Sequence, residues 1–232
     1  MLCKRDEDLL RDSCMHTSIS VYSHFVGYYL CALFYFIFSQ KVTFCINVPT
    51  PQFAGIPNNK TESVAWKNGA LLNATLNSLR PGDVLVFPAQ TTFYFVGGVK
   101  AANLQNVVIR IDGRLVFIDN IQTWPRNANG RVLECLHFDN IVNVTFTSNT
   151  IGIVDGSGEA WWGYLGYILY GENRPRLLSI GNSRNLLIEK IHFMNSPYWT
   201  VWIYNVDGLE IRYSEITNRR NDHDGHDLWN LG

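Results

Sequence analysis

Four short segments beyond residue 103 begin alike. Leu104-Gln105-Asn106-Val107, Ile141-Val142-Asn143-Val144 and Ser183-Arg184-Asn185-Leu186 each set an asparagine immediately before an apolar run. Val206-Asp207-Gly208-Leu209 repeats the pattern with glycine in the asparagine's place. The turn residues are separated by 37, 42 and 23 positions. Such self-similarity marks a stacked repeat, because a short strand cannot bury its apolar side alone. Parallel stacking gives it a continuous core and backbone partners above and below. An interval of 23 residues fits one solenoid turn; the longer two fit either a turn with an excursion or nearly two turns. Asparagine suits the repeating turn because it tolerates left-handed backbone and can hydrogen-bond its neighbour in the next coil. A β-sandwich of irregular strands is the plainer alternative, but hairpin turns of the Asn-Gly type are few.

Upstream of the repeats the reading changes. Residues 49–61, rich in proline and asparagine, read as a linker. A helix over Glu62 to Leu79 follows, with Val64, Leu71, Leu72, Leu76 and Leu79 as its apolar face. Arg80-Pro81-Gly82-Asp83 stops it and turns the chain into a strand, Val84 to Phe87. A helix placed there can cap the first coil of a solenoid, shielding both its backbone edge and its apolar interior.

Residues 1–48 read as a signal peptide or a signal anchor. Ile19 to Phe38 carries no charged side chain except a titratable His24, which suits an h-region and barely reaches membrane-spanning length. Three sequons, at Asn59, Asn73 and Asn143, all lie beyond it, as lumenal glycosylation requires. The expected location is therefore secreted, or anchored with the folded part on the lumenal or extracellular side; the anchor is the only membrane contact foreseen. Of the five cysteines only Cys45 and Cys135 lie past the apolar stretch, and a single disulfide or two free thiols fit equally well. No Cys/His spacing resembles a metal site, and no cofactor is expected. With a formal net charge of −1 and no basic run beside an aromatic cluster, a nucleic-acid partner is not expected.

Two segments carry a resemblance to a known family. Asp155-Gly156-Ser157-Gly158 followed by Trp161-Trp162 resembles the Asp-Gly-x-Gly…Trp element of glycoside hydrolase family 28, the polygalacturonases. Arg174-Pro175-Arg176 with Asn195-Ser196-Pro197-Tyr198-Trp199 resembles the "RP…NSP-x-W" stretch of the same family. The resemblance covers roughly residues 60–232 and implies an all-β fold: a right-handed parallel β-helix (β-solenoid) with an N-terminal capping helix and an incomplete number of coils, occupying residues 62–232. Gly156 and Gly158 are expected to supply positive-φ turns. Trp161, Trp162 and Trp199 are expected to pack around a loop rather than stack on sugar, and Pro197 to shape a turn.

The resemblance also implies a chemistry: hydrolysis of α-1,4 galacturonosyl bonds in pectin with inversion, acting on a pectic polysaccharide, as a monomer when full length. Inversion needs two carboxyl functions, one protonating the leaving oxygen and the other activating water. In the family an Asn-Thr-Asp motif, an Asp-Asp pair, Gly-His-Gly and Arg-x-Lys follow one another. Only the first has a counterpart here: Asp222-His223-Asp224-Gly225-His226-Asp227 matches Asn-Thr-Asp-Gly-x-Asp at Asp224, Gly225 and Asp227 and departs at Asp222 and His223. Asp224 and Asp227 are thus the catalytic candidates. Arg219, Arg220, His223 and His226 are candidates for binding a uronate carboxylate, which arginine forks suit. A second reading takes this stretch as a lead-in loop, with the motif proper and the main carboxylates past Gly232. His137 and His192 sit in strand-like runs and read as structural. A non-catalytic carbohydrate-binding or surface β-helix is the alternative function.

Overall fold

Short apolar runs beyond Asp83 alternate buried and outward residues with a period of two, and the asparagine turns between them set a triangular path. The computed structural model describes residues 52–162 and 168–218. One helix, α1 (Glu62–Ser78), precedes twelve strands: β1 (Val84–Phe87), β2 (Thr92–Phe95), β3 (Val99–Ala102), β4 (Gln105–Ile111), β5 (Arg114–Phe117), β6 (Leu136–Asp139), β7 (Val142–Thr147), β8 (Gly152–Asp155), β9 (Leu178–Glu189), β10 (Ile191–Met194), β11 (Val201–Arg212) and β12 (Glu215–Thr217). The ladders between them are parallel and form three stacks. The first holds β1, β4, β7 and the second halves of β9 and β11. The second holds β2, β5, β8, β10 and β12. The third holds β3, β6 and the first halves of β9 and β11. This is a parallel β-helix.

The register resolves the spacing question. Val107 pairs with Val144, Val144 with Leu186, and Leu186 with Leu209, so each asparagine interval is one turn. The extra residues of the long turns lie between the second and third stacks, at 118–135 and 156–177. Asn106, Asn143 and Asn185 have φ of 53°, 54° and 53°, and Gly208 of 74°. Asn143 Nδ2 donates to Asn106 Oδ1 at 2.7 Å. A second ladder, unforeseen in the sequence, runs three positions upstream: Asn103, Asn140, Asn182 and Asn205 are also left-handed. Within it Asn140 donates to Asn103 at 2.7 Å and Asn205 to Asn182 at 2.8 Å.

Inside the coils Leu85, Phe117, Ile141, Val144 and Val154 are fully buried in one continuous core. Cys135 joins them as a free thiol, and burial together with Glu134 pushes its pKa well above the ordinary value.

The N-terminal edge is closed. Residues 52–58, read from the sequence as linker, run along the first coil: Gln52 bridges Val86, and Asn58 both donates to and, through Oδ1, accepts from Thr92. Phe53 enters the core, with its ring 5.0–5.9 Å from those of Phe87, Phe93 and Phe95. Helix α1 covers the edges of β2 and β3. Asn68 donates to the Tyr94 carbonyl, Asn73 donates to that of Gly98 and accepts from the Lys100 amide, and Asn77 donates to the Lys100 carbonyl. Its buried face is Val64, Ala65, Asn68, Gly69, Leu72 and Leu76. Leu71, placed on that face by the sequence pattern, is 38% exposed, because the face follows the asparagine caps.

Candidate functional site

The carboxylates and cations foreseen for catalysis and uronate binding, Asp224, Asp227, Arg219, Arg220, His223 and His226, lie outside the described residues. The described residues do contain the motif segments, and the fold brings them together at one corner of the solenoid. The Asp155–Gly158 turn follows β8, and Asn195–Pro197 follows β10 one coil later, directly beneath it. Gly156 N–H donates to the Met194 carbonyl at 2.9 Å and Gly158 N–H to that of Asn195 at 2.8 Å. Asn195 Nδ2 and the Ser157 amide both donate to Asp155 Oδ1, at 3.1 and 3.0 Å. The other carboxyl oxygen of Asp155 is bound by Arg114.

This contact corrects the expected role of the glycines. Gly156 and Gly158 do not have positive φ; the left-handed residue of the turn is Ser157, at 45°. A Cβ on Gly156 would sit 2.6 Å from the Asn195 carbonyl oxygen, and one on Gly158 2.5 Å from that of Ser196. Both glycines are required by the close approach of two backbones.

The aromatic residues divide. Trp161 and Trp162 are buried as expected, and Trp162 Nε1 donates to the Ser196 carbonyl at 2.8 Å. Trp161 meets Trp124, from the preceding excursion, edge-on at 5.5 Å. Trp199 is 38% exposed, so it does not pack into the loop as Trp161 and Trp162 do. The arginines of the Arg-Pro-Arg segment lie on aromatic rings: Arg174 stands 4.5 Å over Tyr198, and Arg176 stands 4.5 Å over Trp202. Arg176 also pairs with Glu134 at 2.6 Å. The spacing between Arg-Pro-Arg and the Asn-Ser-Pro segment therefore reflects one coil stacking its guanidinium groups on the next.

The corner opens onto the outer surface of the third stack. Val99, Ala101, Leu136, Phe138, Leu178 and Ile180 are buried, so the alternate residues point outward. Register aligns these into two rows, Lys100–His137–Ser179–Trp202 and Ala102–Asp139–Gly181–Tyr204. His137 Nδ1 lies 3.1 Å from Ser179 Oγ, and on the second stack His192 Nε2 lies 2.6 Å from Thr217 Oγ1, consistent with structural roles for both histidines. These outward rows escaped the sequence reading, because assigning them needs a strand register that the asparagine spacing supplies only after the excursions are set aside.

The three sequon asparagines differ. Asn59 is exposed, and its Oδ1 accepts from the Thr61 hydroxyl at 2.8 Å. Asn73 is engaged in capping β3, and Asn143 in the outer ladder.

The model of glycosyl hydrolases family 28 matches residues 83–230. A polygalacturonase of Chamaecyparis obtusa is 24% identical over 155 residues, covering 63% of this chain and 29% of the relative. The alpha-L-rhamnosidase rgxB of Aspergillus niger is 24% identical over 134 residues, covering 55% of this chain and 30% of the relative. The chain thus spans about a third of the length of the curated relatives it matches. Among solved structures, an endo-xylogalacturonan hydrolase from Aspergillus tubingensis superposes with a TM-score of 0.59 at 20% identity, over 71% of this chain and 43% of that one.

Proposed function

The chain belongs to glycosyl hydrolase family 28, and on that premise we propose that it forms the N-terminal part of an inverting glycosidase that cleaves galacturonosyl bonds of a pectic polysaccharide. The observation that carries the reading is the register of the third stack. Leu178 and Val201 are paired one turn apart, 23 positions along the chain. The same interval counted from Val201 reaches Asp224, and counted from Tyr204 it reaches Asp227. On this reading the Asp/His-rich segment continues the face that carries the outward rows, beside the corner where the family's motif segments converge. Asp224 and Asp227 supply one carboxyl function there. Arg219, Arg220, His223 and His226 attract the uronate carboxylates. The second carboxyl function comes from a coil beyond Gly232, so that acid and base lie on opposite sides of the scissile bond with room for a water molecule.

Secretion, with an N-terminal signal or anchor and glycan at the sequons, accords with a substrate found outside the cell. The relatives' names span more than one glycosidic linkage, so the bond cleaved is set by cleft loops rather than by the shared coils. Reducing-end release from polygalacturonate tests the proposal. The 232-residue chain alone is expected to release few or no reducing ends. Robust turnover by the chain alone that disappears in Asp224→Asn would overturn the assignment of the second carboxyl to a later coil. A non-catalytic, polysaccharide-binding β-helix is the second reading, favoured by the aromatic and basic outer rows. Retention of the chain by polygalacturonate gels, together with inactivity of a version extended past Gly232, would select it.

A further inference from the structure

Four features of the third face point to a ligand rather than to the core. Tyr204 is 40% exposed yet lies over Gly181, where any Cβ would collide with its ring. Trp199, 38% exposed, meets Trp202 edge-to-face at 5.4 Å. Trp202 is held on its other side by the Arg176 guanidinium, itself fixed by Glu134. Two coils and more away along the same face, Lys100 is exposed and has no carboxylate partner among the described residues. Rings so braced hold their orientation without a core to hold them, and they lose little conformational freedom when something stacks on them.

We propose that Tyr204, Trp202 and Trp199 form a stacking platform for a sugar ring of an acidic polysaccharide chain, which runs along the third face toward Lys100. The proposal rests on the pectic reading above and adds this chain's own residues to it. Adjacent coils are spaced about 4.8 Å apart, a distance of the same order as the advance of one pyranose residue in an extended chain. A bound chain lying along the solenoid axis therefore meets one outward row position per sugar. The apolar C–H face of a pyranose suits an exposed aromatic ring. Arg176 is committed to Glu134 and Trp202, so it braces the platform. The accessible charge partner for a uronate carboxylate is Lys100, whose contribution weakens with added salt.

The test uses the full chain, two ligands (an oligogalacturonate and a neutral cello-oligosaccharide) and tryptophan emission, which reports Trp199 and Trp202 directly. The oligogalacturonate is expected to bind and shift the emission. Tyr204→Ala should weaken binding about tenfold, the loss typical of a central aromatic contact, and Tyr204→Phe should retain it. Lys100→Gln should weaken binding less and flatten its salt dependence. Thermal melts of each variant separate lost binding from lost folding, and Tyr204→Phe serves as the folded control. If the oligogalacturonate binds and neither Tyr204→Ala nor Trp199→Ala changes its affinity, the platform is overturned while the pectic reading stands. Binding of only the neutral chain, lost in Tyr204→Ala, would keep the platform and overturn the acidic ligand. No binding of either ligand would overturn the platform outright.

Discussion

The two ends of the described solenoid meet the same physical problem and differ in how they meet it. At the first coil, β1 to β3 would expose a row of unpaired backbone groups and a slab of apolar side chains. Residues 52–58 and α1 cover both. Phe53 is 4% exposed among three phenylalanines, and asparagines of the helix take up the carbonyls of Tyr94, Gly98 and Lys100. At the last described coil, Leu209, Ile211 and Ile216 stand in register with buried Leu186, Ile188 and Phe193 of the coil before, yet are 39%, 49% and 50% exposed. Their pattern is that of interior residues. The difference teaches that the repeat pattern alone does not fix burial in a solenoid: a strand's inner face is covered only if something lies on each side of it.

The contrast predicts unequal costs for equal chemistry. Phe53→Ala should cost about 3–5 kcal/mol, the usual range for removing a buried phenylalanine, read as a fall in the urea midpoint. Leu209→Ala should cost under about 1 kcal/mol, because half-exposed side chains away from special features contribute little. Comparable losses from the two variants would mean that the last coil is covered in solution. Amide exchange gives the same contrast without mutation: the second half of β11 and all of β12 should exchange well before β4 and β7, which have a paired strand on each side.

The polar caps should show a smaller version of the same asymmetry. Asn68 is 1% exposed, accepts from the Ile56 amide at 2.8 Å, and donates to the Ile56 and Tyr94 carbonyls. Asn68→Ala leaves those groups buried and unpartnered and should cost about 1–3 kcal/mol. At the far end Ser214 performs a related task, its hydroxyl accepting from the Ile191 amide at 3.2 Å. Ser214→Ala should cost under about 0.5 kcal/mol, since water can replace an exposed hydroxyl. A loss at Ser214 matching that at Asn68 would show the terminal edge to be as dry as the capped one.

What could be read from the sequence was decided by which interactions are local. The asparagine turns were legible because the left-handed backbone at Asn106, Asn143 and Asn185 is a property of single residues. The same signal stood at Asn103, Asn140, Asn182 and Asn205, but Asn182 donates to Asp139 at 2.8 Å rather than to an asparagine, so the ladder is less regular. The role of Gly156 and Gly158 was not legible, because the backbone that forbids a Cβ there belongs to Asn195 and Ser196, some forty positions away. Leu71 misled because helical spacing describes an apolar stripe, whereas α1 is seated by Asn68 and Asn73. Phe53 was hidden in a proline- and asparagine-rich stretch whose composition suggests a loop. The outward rows needed the register of four strands at once. The candidate acid and uronate-binding residues were named from motif resemblance alone and lie outside the described residues.

Acid should separate the two ends by the smallest margin. Glu189 lies on the outer side of the first stack. Burial raises its pKa, but hydrogen bonds from Arg212 and Thr147 and the charges of Arg212 and Lys190 outweigh it, so the net shift is downward from 4.5. Glu62, at the start of α1, is also lowered, mainly by side-chain hydrogen bonds from Thr123 and Asn120. A carboxyl whose folded pKa is depressed binds fewer protons folded than unfolded. The stability it contributes is present above the unfolded value and is lost as pH falls through the folded one. Both contributions should therefore fade below about pH 4.5. That of Glu189 should be modest, under about 1 kcal/mol, because Arg212 is 42% exposed and solvent screens the pair. Salt tells them apart. The Glu189–Arg212 pair is ionic and should weaken in molar salt, and Arg212→Gln should remove most of its pH dependence. Glu62 is held largely by uncharged donors and should be nearly indifferent to salt. Equal salt sensitivity at Glu62 and Glu189, followed by carboxyl titration, would show that the capped end also depends on charge.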